Sequence, residues 1–134
     1  MDLNLSNLIT PFYTGFLSLI YTGLAFWVIY YRRKFAQGIG DGGHKELKRI
    51  IRVHGNFIEY VPLSLILILF AELSGMKSLH LHIAGTCLVL GRLLHAFGLS
   101  KSVGTSPGRF IGMCLNFSLI IYLGIYLMVK YLTI

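Results

Sequence analysis

Arg52, Asn56 and Glu59 follow one another at spacings of four and three residues within RVHGNFIEY, directly ahead of the apolar run VPLSLILILF. On a helix those spacings place a guanidinium, a carboxamide and a carboxylate on one face. A second segment, GRLLHAFGL, sets Arg92 and His95 three residues apart, and a third, SPGRFIG, carries Arg109, with Asn116 seven residues further on. Several cations, one carboxylate and amide donors suit a small zwitterion bearing more than one carboxylate, because arginine matches carboxylates bidentately and glutamate accepts from an ammonium. A peptide-like thiol fits that description.

The elements that must position these residues are membrane helices. The 134-residue chain is 55% hydrophobic and 13% charged, with a mean hydropathy of +0.71, outside the balance of soluble domains. Its apolar runs, Pro11 to Tyr31, Gly55 to Leu73, Leu79 to Leu99 and Phe110 to Leu132, approach the roughly 20 helical residues that cross a hydrocarbon core. Continuous rather than alternating apolarity selects helices over a barrel. The fold class is therefore an all-α integral membrane protein, one domain over residues 1–134, with helices at about 11–31, 50–73, 79–99 and 109–132. Short connections make successive helices antiparallel neighbours in an up-and-down four-helix bundle. MDLNLSNLI lacks a basic n-region and a small-residue cleavage site, so the first helix is expected to be retained.

Ten of the twelve Lys and Arg residues flank the first and third loops. The positive-inside rule makes those loops cytoplasmic and both termini external, in an inner or plasma membrane if the chain is bacterial. The net charge of +7 is juxtamembrane, with no nucleic-acid motif, and suits anionic lipid and topology rather than nucleic acid. Cys87 and Cys114 fall inside spans without C-x-x-C spacing and read as reduced core residues. His80 and His82 point to different faces with no acidic or cysteine ligand beside them, so no metal site is expected. GIGDGG fits a dinucleotide-binding pattern formally, but no strand precedes it, and it reads as a flexible linker from Arg32 to about Arg49.

Glu59 lies about 10 Å deeper than Arg52 at 1.5 Å of rise per residue. An ionised side chain there costs about 2.5–3.5 kcal/mol without a partner or a wet cavity. Arg92 is expected at similar depth on the antiparallel third helix, so an ion pair between Glu59 and Arg92 is the expected relief, with His95 level with Asn56. Pro62 removes a backbone donor and predicts a kink or widening beside Glu59.

RVHGNFIEY resembles the helix-two signature of the MAPEG family, the membrane-associated proteins of eicosanoid and glutathione metabolism, in the form of its prostaglandin E synthase-like branch. GRLLHAFG and SPGRFIG resemble that branch's third helix and the start of its fourth. The resemblance implies a homotrimer with glutathione at interfaces between subunits on the cytoplasmic side. Arg52, Asn56, Glu59, His95 and Arg109 would contact it, with Arg109 stabilising the thiolate. Arg92, Tyr60 and the weaker match Arg33 form the supporting set. A lipophilic electrophile would arrive through the bilayer. Leu99 stands where many relatives carry tyrosine, Gly55 where that branch has a basic residue, and Phe110 where it has serine. Loss of that hydroxyl argues against prostaglandin isomerisation, and the activity implied is glutathione transfer or peroxide reduction. The alternative is a non-catalytic membrane protein of the same fold that binds a lipid, a thiol metabolite or a partner.

Overall fold

A computed structural model describes residues 8–101, 104 and 106–133. Its helices are α1 (Thr10–Lys34), α2 (Lys45–Leu73), α3 (Ser78–Lys101) and α4 (Pro107–Leu132). Each is long and apolar enough to cross a membrane. The expected class holds, as an all-α bundle with α3 packed on α4 and α2 touching every other helix.

The helix ends show why the chain turns where it does. Pro107 occupies the first turn of α4, where its missing N–H costs nothing, and the Ser106 side chain accepts from Arg109 N–H at 3.4 Å. At the other face of the bundle α2 closes with Gly75 at φ +84°. Gly75 N–H bonds Glu72 O at 2.9 Å, and Met76 N–H bonds Ala71 O at 3.0 Å. That pattern satisfies two end carbonyls, and the left-handed position is one a glycine fills without strain.

Glu72, in the last turn of α2, also reaches across to α1. Its carboxylate accepts from Thr10 N–H at 2.9 Å, from Thr10 Oγ1 at 2.5 Å and from Ile9 N–H. Ile9 at the N-cap supplies no side-chain acceptor of its own, so a neighbouring helix provides the anion that the first-turn amides require. Nearby, the Tyr13 hydroxyl lies 3.2 Å from His82 Nδ1 and 3.1 Å from Thr86 Oγ1, and donates to His82 O at 3.1 Å. The Tyr13 ring occupies the space a Cβ at Gly85 would need. Thr10, Tyr13 and Leu17 are the buried residues of α1, and beyond them Ile20 and Leu24 pack partly buried against the core.

The core is apolar and sits in the same half of the bundle. Leu17, Phe57, Val61, Ile68, Leu88, Leu119 and Leu123 form its centre. The lipid-facing flanks carry exposed Phe12, Leu19, Phe26, Ile121 and Met128, as a bilayer solvent favours.

Two local features differ from the sequence reading. α2 begins at Lys45, five residues before the expected start at 50, because lysine, glutamate and leucine are good helix formers even where hydropathy is low. The first loop is not a slack linker. Arg32 Nη1 lies 3.1 Å from both Gly38 O and Gly40 O and 3.4 Å from Gln37 O, Asp41 Oδ1 accepts from Gly43 N–H at 2.9 Å, and the Phe35 and His44 rings stack at 4.1 Å. α2 stays helical through Pro62 to Leu73. Pro62 lines a groove of about 350 Å³ between α1 and α2, together with Leu17, Phe57, Ile58, Val61 and Leu65.

Candidate functional site

Glycines bring α4 onto α3 at the level of the polar residues. A Cβ at Gly112 would lie 2.5 Å from Gly91 O and 2.9 Å from His95 N, one at Gly98 would lie 2.8 Å from Arg109 N, and one at Gly108 would lie 3.0 Å from Leu94 O. Close backbone approach through small residues is a standard way for membrane helices to associate. Here it fixes where Arg109 emerges relative to His95. The Gly108 and Gly112 spacing of four was the readable signal for this seam, and the sequence reading did not use it.

Arg92 is the centre of the cluster and is 2% exposed. Its Nη1 donates to Asn56 Oδ1 at 2.9 Å and its Nη2 to Gly112 O at 3.4 Å, tying α3 to both α2 and α4. The guanidinium carbon lies 5.1 Å from the centre of the Tyr60 ring, a cation–π contact worth more in a desolvated setting than on a surface. Tyr60 in turn packs edge-on against Phe117 with centroids 5.7 Å apart. Arg92 thus touches Tyr60 and Asn56 rather than Glu59.

The expected Glu59–Arg92 ion pair does not form. Glu59 pairs with Arg52 of its own helix, with Nη1 to Oε1 at 2.7 Å and Nη2 to Oε2 at 3.4 Å. Arg52 and Glu59 lie seven residues apart on the exposed face of α2, whereas Asn56 is turned inward towards Arg92. Two facing arginines were compatible with the sequence, and the inward turn of Arg92 decides between them.

His95 is buried and lies within Coulombic range of Arg92, Arg109, Arg52 and Glu59. Helices α2, α3 and α4 therefore do bring the sequence-predicted residues to one region. Arg109 is half-buried at the first turn of α4, and its Nη1 donates to Gly104 O at 2.5 Å. Arg33 stands exposed on the last turn of α1, and its side chain makes no hydrogen bond or ion pair among the described residues. Asn116 is fully buried one turn beyond Gly112, and neither atom of its carboxamide has a protein partner; Arg92 Nε is in the same position.

Chemically, α2, α3 and α4 each bring a guanidinium to this region, and its carboxylate, Glu59, is paired with Arg52. Arginine does not deprotonate under ordinary conditions, so the cluster is net cationic and suits an anion with several acceptor oxygens. A thiol placed beside it would be favoured in its ionised form.

Fold and site together define a multi-pass membrane protein whose helices enclose a cationic cluster towards one face of the bundle. The chain belongs to the MAPEG family, whose profile matches residues 10–129, from the first residue of α1 into α4. It is similar to the inner membrane protein YecN of Escherichia coli strain K12, at 36% identity over 91 residues covering 68% of this chain and 70% of the relative. YecN of Escherichia coli strain CFT073 matches to the same extent. No solved structure matches.

Proposed function

We propose that this protein is a glutathione-dependent membrane enzyme, a transferase or peroxidase acting on lipophilic electrophiles. The observation that carries the reading is the charge imbalance of the site. Glu59 is engaged by Arg52 on the exposed side of α2, and the buried Arg92 has only neutral partners. A buried cation held by neutral groups alone is costly, and a ligand with two carboxylates relieves it.

The donor set fits such a ligand. Asn56 Oδ1 is held by Arg92, which leaves its Nδ2 to donate outward. Arg52 and Arg109 offer guanidinium forks for carboxylates, Glu59 accepts from an ammonium, and His95 provides a further polar contact. Arg109 is the residue assigned to hold the sulfur as thiolate. Glutathione, when bound, supplies the nucleophilic sulfur that attacks an electrophilic carbon or a peroxide oxygen. Its partner substrate is drawn from the bilayer.

In this reading loops 1 and 3 are cytoplasmic and both termini external. A homotrimer, as the family resemblance implies, is the proposed assembly. The test is titration of detergent-solubilised protein with glutathione, followed by calorimetry and by thiolate ultraviolet absorbance. Saturable binding with a thiolate signal that disappears in Arg109→Ala is expected. Absence of binding overturns the reading, and binding without the thiolate signal favours a non-catalytic thiol-binding protein.

A further inference from the structure

The early start of α2 has a functional meaning. Lys45, Lys48 and Arg52 stand at spacings of three and four, followed by Glu59, and all four are exposed. Helical spacing puts them on one strip of α2. Further along the same strip the exposed residues become Leu63, Ile66 and Phe70. Topology requires that basic residues lie at this end of the bundle, but not that they share a helix face with Arg52 and Glu59.

Of the other cations at this end, Arg32 holds the first loop, Lys34 pairs with Glu46 at 3.6 Å and lies over the Tyr31 and Phe35 rings, and Lys101 lies over Phe97. The side chains of Lys45, Lys48, Arg33 and Arg49 make no hydrogen bond or ion pair among the described residues. Lys45 and Lys48 lie exposed on the strip that leads to Arg52, whereas Arg33 is on α1 and Arg49 is half-buried. We propose that Lys45 and Lys48 form an electrostatic ramp that draws a soluble, carboxylate-bearing anion from the membrane surface along α2 to Arg52. The ramp serves the site proposed above, and the identity of its cargo as glutathione rests on that reading.

Distances support continuity. The steps from Lys45 to Lys48 and from Lys48 to Arg52 are about 4.5 Å and 6 Å along the axis at 1.5 Å per residue. Both are shorter than the ~10 Å Debye length at 0.1 M salt. An anion on the strip therefore never leaves the screening range of a cation before it meets Arg52. Clefts and strips of one sign raise local counter-ion concentration and association rates by about 10-fold or more at low salt.

A cysteine at Gly55, between Arg52 and Glu59 on α2, reports the local potential without needing any bound ligand. A Cβ there meets no atom within 4 Å. In a background with Cys87→Ser and Cys114→Ser, Gly55→Cys is alkylated in zwitterionic nanodiscs by an anionic and by a neutral thiol reagent of similar size. The ratio of the two rates cancels changes in thiol ionisation. Lys45→Glu with Lys48→Glu is expected to lower that ratio about tenfold at low salt, and the difference is expected to vanish near 1 M salt, where the Debye length is about 3 Å. If the double glutamate variant fails to fold, Lys45→Gln with Lys48→Gln is expected to lower the ratio about threefold. A ratio unchanged by either pair overturns the ramp, even in protein that binds glutathione. A ratio that falls in protein that binds no glutathione sustains the ramp and removes the glutathione reading.

Discussion

Arg92 Nη1 donates to Asn56 Oδ1 at 2.9 Å inside the bundle. Because arginine only donates, this contact settles which way the carboxamide faces and leaves Nδ2 for the opposite side. Asn56→Leu removes one acceptor of the buried guanidinium while Gly112 O remains, so a loss of about 1.5–3 kcal/mol is expected. Asn56→Leu with Arg92→Met is expected to recover most of it. Thermal unfolding of the single and double variants in detergent checks the coupling, and additive losses contradict it.

Glu59 is partnered by Arg52 of its own helix, and Glu59→Gln leaves that arginine without a carboxylate. A stability loss of up to about 2.5–3.5 kcal/mol is expected if the pair lies within the bilayer, and, on the proposed reading, a roughly tenfold loss of glutathione affinity through one charge-assisted contact. Calorimetry and a melting curve on the same sample separate the two effects.

Gly112 and Gly55 should respond in opposite directions to the same substitution. Gly112→Ala drives a methyl against Gly91 O at 2.5 Å and His95 N at 2.9 Å, forcing α3 and α4 apart at a cost of about 1–3 kcal/mol and displacing Arg109 from His95. Gly55→Ala meets nothing and is expected to stabilise α2 by up to about 1 kcal/mol. Melting temperatures of both variants test the close approach that the glycine seam requires.

Glu72 replaces an N-cap that α1 lacks. Glu72→Ala is expected to cost about 1–2 kcal/mol and to speed amide exchange at Thr10 and in the first turn of α1, with α4 unaffected. Exchange that is uniform along the chain would show the loss to be global rather than a lost cap.

Much of this arrangement is legible in the sequence, and the reasons for the rest are physical. The helices follow from apolar length, and the common face of Arg52 and Glu59 from helical period. The choice of partner for Glu59 does not, because Arg52 and Arg92 both lie within plausible reach and the outcome depends on which way Arg92 turns from α3. The start of α2 at Lys45 escapes a hydropathy window, since helix propensity and lipid solubility are different properties. The Glu72 contact joins residues 62 positions apart, and no local pattern announces it. The first loop looks slack by composition, yet Arg32 supplies the donor that its carbonyls lack.

The anchoring of α1 has a mechanical consequence. Thr10 and Tyr13 tie its start to Glu72 and His82, and at its other end Lys34 pairs with Glu46 of α2 at 3.6 Å. Ile20 and Leu24 pack against the core between the two. α1 is therefore a beam pinned at both faces of the bundle, and a tilt of it loads the loop that precedes Lys45 as well as the Glu72 contact.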